Sequence, residues 1–299
     1  RIAPMDGIAL HQPWLAKLKA LVALGKAKLS AMVVFSGFVG AYVLLPIGYP
    51  VVNLIVFILC SMAITMAANG FNQIIERDID GLMLRTRNRP LPLGLCQPWE
   101  AYVFVGLLAS LSGLGLYFFF NALAAFVGLL SLILYAVVYT PLKRVSSLAV
   151  LVGAIPGALP PLIGAIAITG ELHPIGILLF MIQFFWQFPH FWAIAWVSYD
   201  DYKRADIMLL PNASGRTRIS AMHIVLYTLV LIPLPVFAYT TGLLPMPLTL
   251  GLVVLGAFYT LFALILFMKP NTVNAKKLMF ASFIYLPIGL ALFILNVVL

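Results

Sequence analysis

Nine stretches of this chain stay apolar over about twenty residues each, the length needed to cross a bilayer as a helix. They lie near 29–48, 51–72, 101–120, 121–140, 147–168, 174–197, 219–241, 247–268 and 278–298. In lipid every backbone polar group must find its partner inside the protein, so such runs predict helices. A barrel would instead alternate apolar and polar residues. Only 9% of the residues are charged against 63% hydrophobic, far from the roughly one quarter charged that soluble domains carry. The expected fold class is all-α, a polytopic membrane protein of about nine transmembrane helices.

The charges test this count independently. All 18 Lys and Arg residues fall before the first helix or in every second loop. They form five groups: Arg1, Lys17, Lys19, Lys26 and Lys28; Arg77, Arg85, Arg87 and Arg89; Lys143 and Arg144; Lys203, Arg204, Arg216 and Arg218; Lys269, Lys276 and Lys277. The positive-inside rule then predicts a cytoplasmic N-terminus and an external C-terminus. Residues 1–28 read as a basic cytoplasmic segment with neither a signal-peptide core nor a mitochondrial transit composition, so a bacterial plasma (inner) membrane is the expected location. Residues 29–299 read as one intramembrane domain. Its long polar loops follow helices 2 and 6, a spacing that suggests helices 1–4 and 5–8 as a weak repeat, plus helix 9. Anionic lipid and an anionic substrate suffice to explain the net charge of +9, without nucleic acid.

Three segments carry candidate chemistry. At about 100° per residue, Asn72, Glu76 and Asp80 share an arc of about 80°, with Asn69 inside it. Oxygen ligands stacked at a membrane boundary suit Mg²⁺, which takes one or two carboxylates and completes its shell with water and phosphate oxygens. The bland alternative is a solvated helix end, but a buried polar stripe costs several kcal/mol unless it is used. Arg85, Arg87 and Arg89 follow at once and suit a polyanion; alone they would be ordinary positive-inside charge. Tyr135, Tyr139 and Lys143 fall on one line if the helix holds through Pro141, and interface anchoring explains them equally well. Farther on, Gln183, His190 and Asp201 share a face if one helix carries all three. Pro156, Pro160 and Pro161 are expected to kink helix 5, while Gly153, Gly157 and Gly164 are expected to pack it closely.

These strings resemble the haem O synthase (protohaem IX farnesyltransferase) branch of the UbiA-type intramembrane prenyltransferases. The likeness rests on Asn72 to Asp80 continuing through Arg85-Thr86-Arg87-Asn88-Arg89-Pro90-Leu91, on Tyr139-Thr140-Pro141-Leu142-Lys143-Arg144, and on Gly153 to Pro161. It rests further on Trp186-Gln187-Phe188-Pro189-His190-Phe191-Trp192, Asp201-Tyr202 and Met208 to Pro211. The resemblance implies farnesyl diphosphate and haem B as substrates, Mg²⁺ as cofactor, and haem O with diphosphate as products. Haem A synthase or assembly factors of a terminal oxidase would be partners within the bilayer. Asn72, Glu76 and Asp80 would hold the metal, while Arg85, Arg89, Tyr139, Lys143 and Arg144 would meet the diphosphate. Trp186, Gln187 and His190 would face the acceptor, within an aromatic wall that includes Phe184, Phe185, Phe188, Phe191 and Trp192. His190 would ligate iron, orient a propionate or accept a proton; these stay open. Where the family has glycine after Asp-Tyr-x-x-Ala, this chain has Asp206, and Asp200, Asp201 and Asp206 remain alternatives for the second acidic site. Competing readings are a quinone-precursor prenyltransferase, a polytopic transporter and a non-catalytic haem-binding assembly protein.

Overall fold

With no water to bond their backbones, the apolar runs close their hydrogen bonds internally, and the computed structural model is helical throughout its regular parts. It describes residues 14–207, 209–212 and 215–298; Arg1 and His11 of the N-terminal segment and Met208 lie outside these. The helices are α1 (Trp14–Leu24), α2 (Ala27–Tyr42), α3 (Val51–Asp80), α4 (Pro98–Phe119) and α5 (Ala122–Ile133). Helix α5 runs through a π-helical stretch, Leu134–Tyr139, into the short α6 (Thr140–Leu142). Then come α7 (Ala149–Thr169), α8 (Pro174–Val197), α9 (Tyr199–Arg204), α10 (Arg218–Val230), α11 (Pro233–Thr240), α12 (Met246–Met268) and α13 (Thr272–Val298).

Among the described residues eight of these units are long and apolar enough to span a membrane, and the count reaches nine if the pair α1 and α2, bent by 46°, forms one broken span. The protein is therefore a multi-pass membrane protein, as its apolar runs predict. Several boundaries differ from expectation, three of them with a cause legible in the sequence. Helix α3 outlasts its apolar run by two turns, because nothing between Asn72 and Asp80 breaks a helix. Helix α2 stops at Tyr42, with Pro46 and Gly48 (φ 80°) turning the chain soon after. The third is α1, expected only as a basic segment: Lys17 and Lys19 interrupt its apolar run without interrupting the helical period. Lys17 pairs with Glu100 of α4 at 2.6 Å.

Helix α7 lies at the centre, packed on α2, α5 and α8, and a larger share of it (67%) is buried than of any other span. Each of its prolines removes a hydrogen bond to the carbonyl four residues back, yet the helix is continuous from Ala149 to Thr169. Neighbours supply donors for two of the freed carbonyls. Ser131 Oγ donates to Pro156 O at 3.2 Å, and Gln183 Nε2 donates to Gly157 O at 2.7 Å. Gln183 Oε1 in turn accepts from Ser36 Oγ of α2 at 2.8 Å. One amide thus ties three helices together.

Glycine lets α2 and α7 touch backbone to backbone. A Cβ on Gly40 would stand 1.9 Å from Pro161 O, and one on Gly164 would stand 2.0 Å from Gly37 O. Neither neighbour is a side chain that can swing away. Gly40→Val should therefore destabilise the protein by about 3 kcal/mol or more, at or beyond the usual range for overpacking, read as a fall in thermal unfolding temperature in detergent. Gly106→Ala, which meets nothing within 4 Å, should be neutral or stabilising. Equal effects of the two would contradict the close approach.

Candidate active site

The polar end of α3 is buried rather than solvated. Asn69, Asn72, Glu76 and Asp80 are each no more than 4% exposed. Asn72 Nδ2 donates to Glu76 Oε2 at 3.0 Å and to Thr140 Oγ1 at 3.1 Å. The Thr140 hydroxyl can accept because it spends its own proton on Tyr135 O at 2.8 Å. Glu76 forms an ion pair with Lys143, and Asp80 Oδ2 one with Arg89 Nη1 at 2.6 Å. The loop that returns Arg89 is fixed by Thr86 Oγ1, which donates to the Asp80 carbonyl at 2.8 Å. Asp80 Oδ1 is buried with no hydrogen-bond partner. Among the described residues no three His, Cys, Asp or Glu side chains gather as a metal cluster, so any cation here would rest on this carboxylate pair and the Asn72 amide oxygen.

Opposite stands the line expected from α5. The Tyr135 and Tyr139 rings stack at 5.3 Å, and Lys143 Nζ lies 5.7 Å from the Tyr139 ring centre. The helix does hold through Pro141. A π turn just before it, where Thr140 N–H bonds Tyr135 O, absorbs the change, and Pro141 falls at the start of α6, where its missing donor is tolerated. The Tyr139 ring sits against Gly153, where a Cβ would approach to 2.6 Å. That explains one glycine of α7 by the site rather than by helix packing alone.

The third expected alignment is absent. Helix α8 ends at Val197, Ser198 leaves helical geometry (φ −97°, ψ 18°), and Asp201 belongs to α9. Asp201 therefore leaves the face of Gln183 and His190. Its carboxylate accepts from the backbone N–H groups of Leu84 (3.0 Å) and Arg85 (3.3 Å) and pairs with Arg204. Desolvation would raise its pKa, but the Arg204 side chain and those two amides outweigh it and hold the carboxyl below its usual range. Arg85 reaches back to donate to the Tyr202 hydroxyl at 3.2 Å. Asp201 thus clamps the arginine loop. Asp200 pairs with Arg216 at 3.1 Å. Asp206 sits at φ 51°, a left-handed conformation that glycine adopts freely and Asp tolerates. Arg144 is exposed and lines a separate cleft with Ser146, Tyr199 and Tyr202.

Beneath the charged end lies a mainly apolar cavity of about 380 Å³ walled by α2, α3, α5, α7, α8 and α13. Asn69, Tyr135, Gln183, Gln187, Trp186 and His190 are among its polar lining residues. Gln187 Nε2 donates to Ala154 O at 3.1 Å. Trp186 stacks on His190 with ring centres 4.6 Å apart and donates Nε1–H to Ser282 O at 2.9 Å. The expected aromatic wall is only partly there. Trp186 and Phe191 line the cavity, whereas Phe185, Phe188 and Trp192 contact Tyr227 of α10. Consecutive residues on a helix cannot all face one side.

Sequence reasoning gave no individual role to Thr140, Thr86, Ser282 or Lys26. The first three are single hydroxyls, too common in spans to stand out. Lys26, at the α1–α2 break with φ 48°, lies within the electrostatic reach of Glu76, Asp80, Arg89 and Lys143.

A buried carboxylate–cation cluster capping an apolar cavity defines a site for a molecule with an anionic head and an apolar body. The chain belongs to the UbiA prenyltransferase family, whose profile matches residues 33–286. It is 42% identical over 284 residues to the protoheme IX farnesyltransferase of Cytophaga hutchinsonii, covering 94% of this chain and 98% of that one. Among solved structures it resembles digeranylgeranylglyceryl phosphate synthase (TM-score 0.79, 17% identity, 94% and 98% of the two chains). It also resembles a UbiA homologue from Archaeoglobus fulgidus bound to DMAPP and Mg²⁺ (TM-score 0.66, 17% identity, 94% and 99%).

The ion pairs make a stability prediction. Lys143→Met leaves Glu76 buried and unpaired and should cost about 3–5 kcal/mol, whereas Lys143→Met with Glu76→Gln should cost much less. Thermal unfolding of the two variants in detergent checks this; equal losses would mean the pair is solvated.

Proposed function

We propose that this protein transfers a farnesyl group from farnesyl diphosphate to a vinyl group of haem B, with addition of water, giving haem O and diphosphate. The observation that carries the reading is the buried Glu76–Asp80 pair, held by Lys143 and Arg89 at the mouth of an apolar cavity. The relatives named protoheme IX farnesyltransferase supply the acceptor and the prenyl donor. The unpartnered Asp80 Oδ1 and the carboxylate-plus-amide donor set fit Mg²⁺, and Glu76, Asp80 and the Asn72 amide oxygen would hold it. Bound there, the metal would supply Lewis-acid neutralisation of the diphosphate.

The residues of the chain do the rest. Arg85, Arg89 and Lys143 offset the negative charge that grows on diphosphate as the allylic C–O bond breaks and its electron pair leaves; Arg144, in its separate cleft, takes no part. Tyr135, which lines the cavity with Tyr139 stacked behind it, would offer a ring face to the cation, and the apolar walls would keep water from it. The vinyl π electrons of haem then form the new C–C bond. Water adds to the resulting cation and releases one proton. Trp186, Gln187 and His190 form the acceptor side, and Asp201 acts by holding the Arg85 loop. The charged end faces the cytoplasm of a bacterial plasma membrane, with the N-terminus inside.

Purified protein given haem B, labelled farnesyl diphosphate and Mg²⁺ should yield a product with the mass of haem B plus a farnesyl group and a hydroxyl, the added water having lost one proton. Asn72→Ala, Glu76→Gln and Asp80→Asn should each lower turnover by at least about a hundredfold. Prenylation of 4-hydroxybenzoate in place of haem would defeat the proposal. A cysteine at position 88 should react with an impermeant thiol reagent only from the cytoplasmic side; labelling from outside would invert the topology.

A further inference from the structure

His190 is held by an arrangement that decides which of its nitrogens carries the proton. Its Nδ1 lies 2.8 Å from Ser282 Oγ. The Ser282 hydroxyl has one proton, and it donates that proton to the Met279 carbonyl at 2.5 Å. A carbonyl cannot donate, so turning the hydroxyl toward His190 would leave two acceptors pressed together at 2.5 Å. Toward His190 the Ser282 oxygen is therefore an acceptor, and Nδ1 is the donor. Around the ring stand Trp186, Phe191 and Phe283, at 4.6, 5.6 and 5.4 Å between centres. No acidic side chain lies among the residues that line the cavity. A neutral imidazole with hydrogen on Nδ1 has its lone pair on Nε2. That nitrogen makes no hydrogen bond among the described residues and is not one of the buried unpartnered atoms, while His190 itself lines the cavity.

The ring is also fixed in direction. Ser282 anchors both stacked rings, taking Nδ1–H of His190 on its hydroxyl and Nε1–H of Trp186 on its carbonyl. A histidine that donates one ring N–H to an oxygen and turns the other nitrogen outward is prepared for a metal, as in proximal haem ligands. A propionate contact would need an N–H on the cavity side, which this tautomer lacks. We propose that His190 Nε2 is the axial ligand to the iron of the acceptor haem, with Ser282 as the positioning residue that holds Nδ1–H. This rests on haem B being the acceptor. Among the described residues no other histidine lines the cavity, so the iron carries one histidine. Pinning the macrocycle at its centre leaves its edge to be turned toward the charged end of the cavity.

The test is spectroscopic and needs no turnover. Wild-type protein loaded with haem B and reduced should show an iron–histidine stretch by resonance Raman. His190→Gly should lose it, and added imidazole should restore it by entering the vacated space. Ser282→Ala keeps the ligand but removes the acceptor for Nδ1–H. It should still bind haem, about 10–100-fold more weakly, with the stretch moved to lower frequency. Unchanged farnesyl diphosphate binding in both variants would show that the bundle is intact. An unchanged iron–histidine signal in His190→Gly overturns the assignment alone. A wild type that takes up no haem B overturns the acceptor reading and this assignment with it.

Discussion

The architecture depends on where α7 finds partners for the carbonyls its prolines release. In a membrane an unpaired carbonyl has no water to turn to, so three prolines in the central span would be a liability without outside donors. Gln183 and Ser131 supply two donors, and Gln183 also accepts from Ser36. Because the two Gln183 bonds are short and the α2–α7 contact is backbone on backbone, α2, α7 and α8 are fixed to one another within a narrow tolerance. Those same helices form a wall of the cavity, and Gln183 and Gln187 line it. What looks like repair of a broken helix is also what gives the cavity its shape.

The charged end follows a different logic. Two carboxylates are withdrawn from water at the last turns of α3 and balanced by two cations from different segments, Lys143 beyond α6 and Arg89 in the following loop. A pair of this kind contributes little net stability compared with apolar residues, so stability alone is a poor explanation for it. It keeps two cations and an available carboxylate oxygen in place above an apolar cavity before any ligand arrives. Preorganised charge of this sort lowers a barrier without reorganisation at the moment of reaction. The second polar loop contributes through Asp201, whose carboxylate grips the backbone of the arginine loop and leaves the arginine side chains in place.

How much of this was legible beforehand depended on whether a helix was continuous. Asn72, Glu76 and Asp80 could be placed together because one unbroken helix carries them, and the period survives even where hydropathy fails. Tyr135, Tyr139 and Lys143 could be placed because the π turn and Pro141 compensate locally. Asp201 could not, since the break at Ser198 resets the angle and no residue type there announces it. The N-terminal helix was hidden for the opposite reason, lysines being counted as breaks when they merely decorate one face. The aromatic run in α8 showed that something packs there without saying which rings face inward. Thr140 and Ser282 matter through a single hydrogen bond each, and such bonds are a property of tertiary contact. The glycine that the family places at 206 has a physical reading as well, in a left-handed backbone that Asp206 here adopts.

The cavity is lined in part by Leu29 and Met32 of α2, which are each 53% exposed on the outer surface of the bundle. Its side is therefore open to the hydrocarbon, and an amphiphile can enter by lateral diffusion with its head kept at the interface. The quantity that governs occupancy is then the mole fraction of the substrate within the lipid or micelle phase, and its amount per litre of buffer matters only through partitioning. Adding detergent at constant substrate would dilute the reactants in two dimensions and slow the reaction. In a cell, the thickness and crowding of the leaflet would tune the rate as directly as the supply of either substrate.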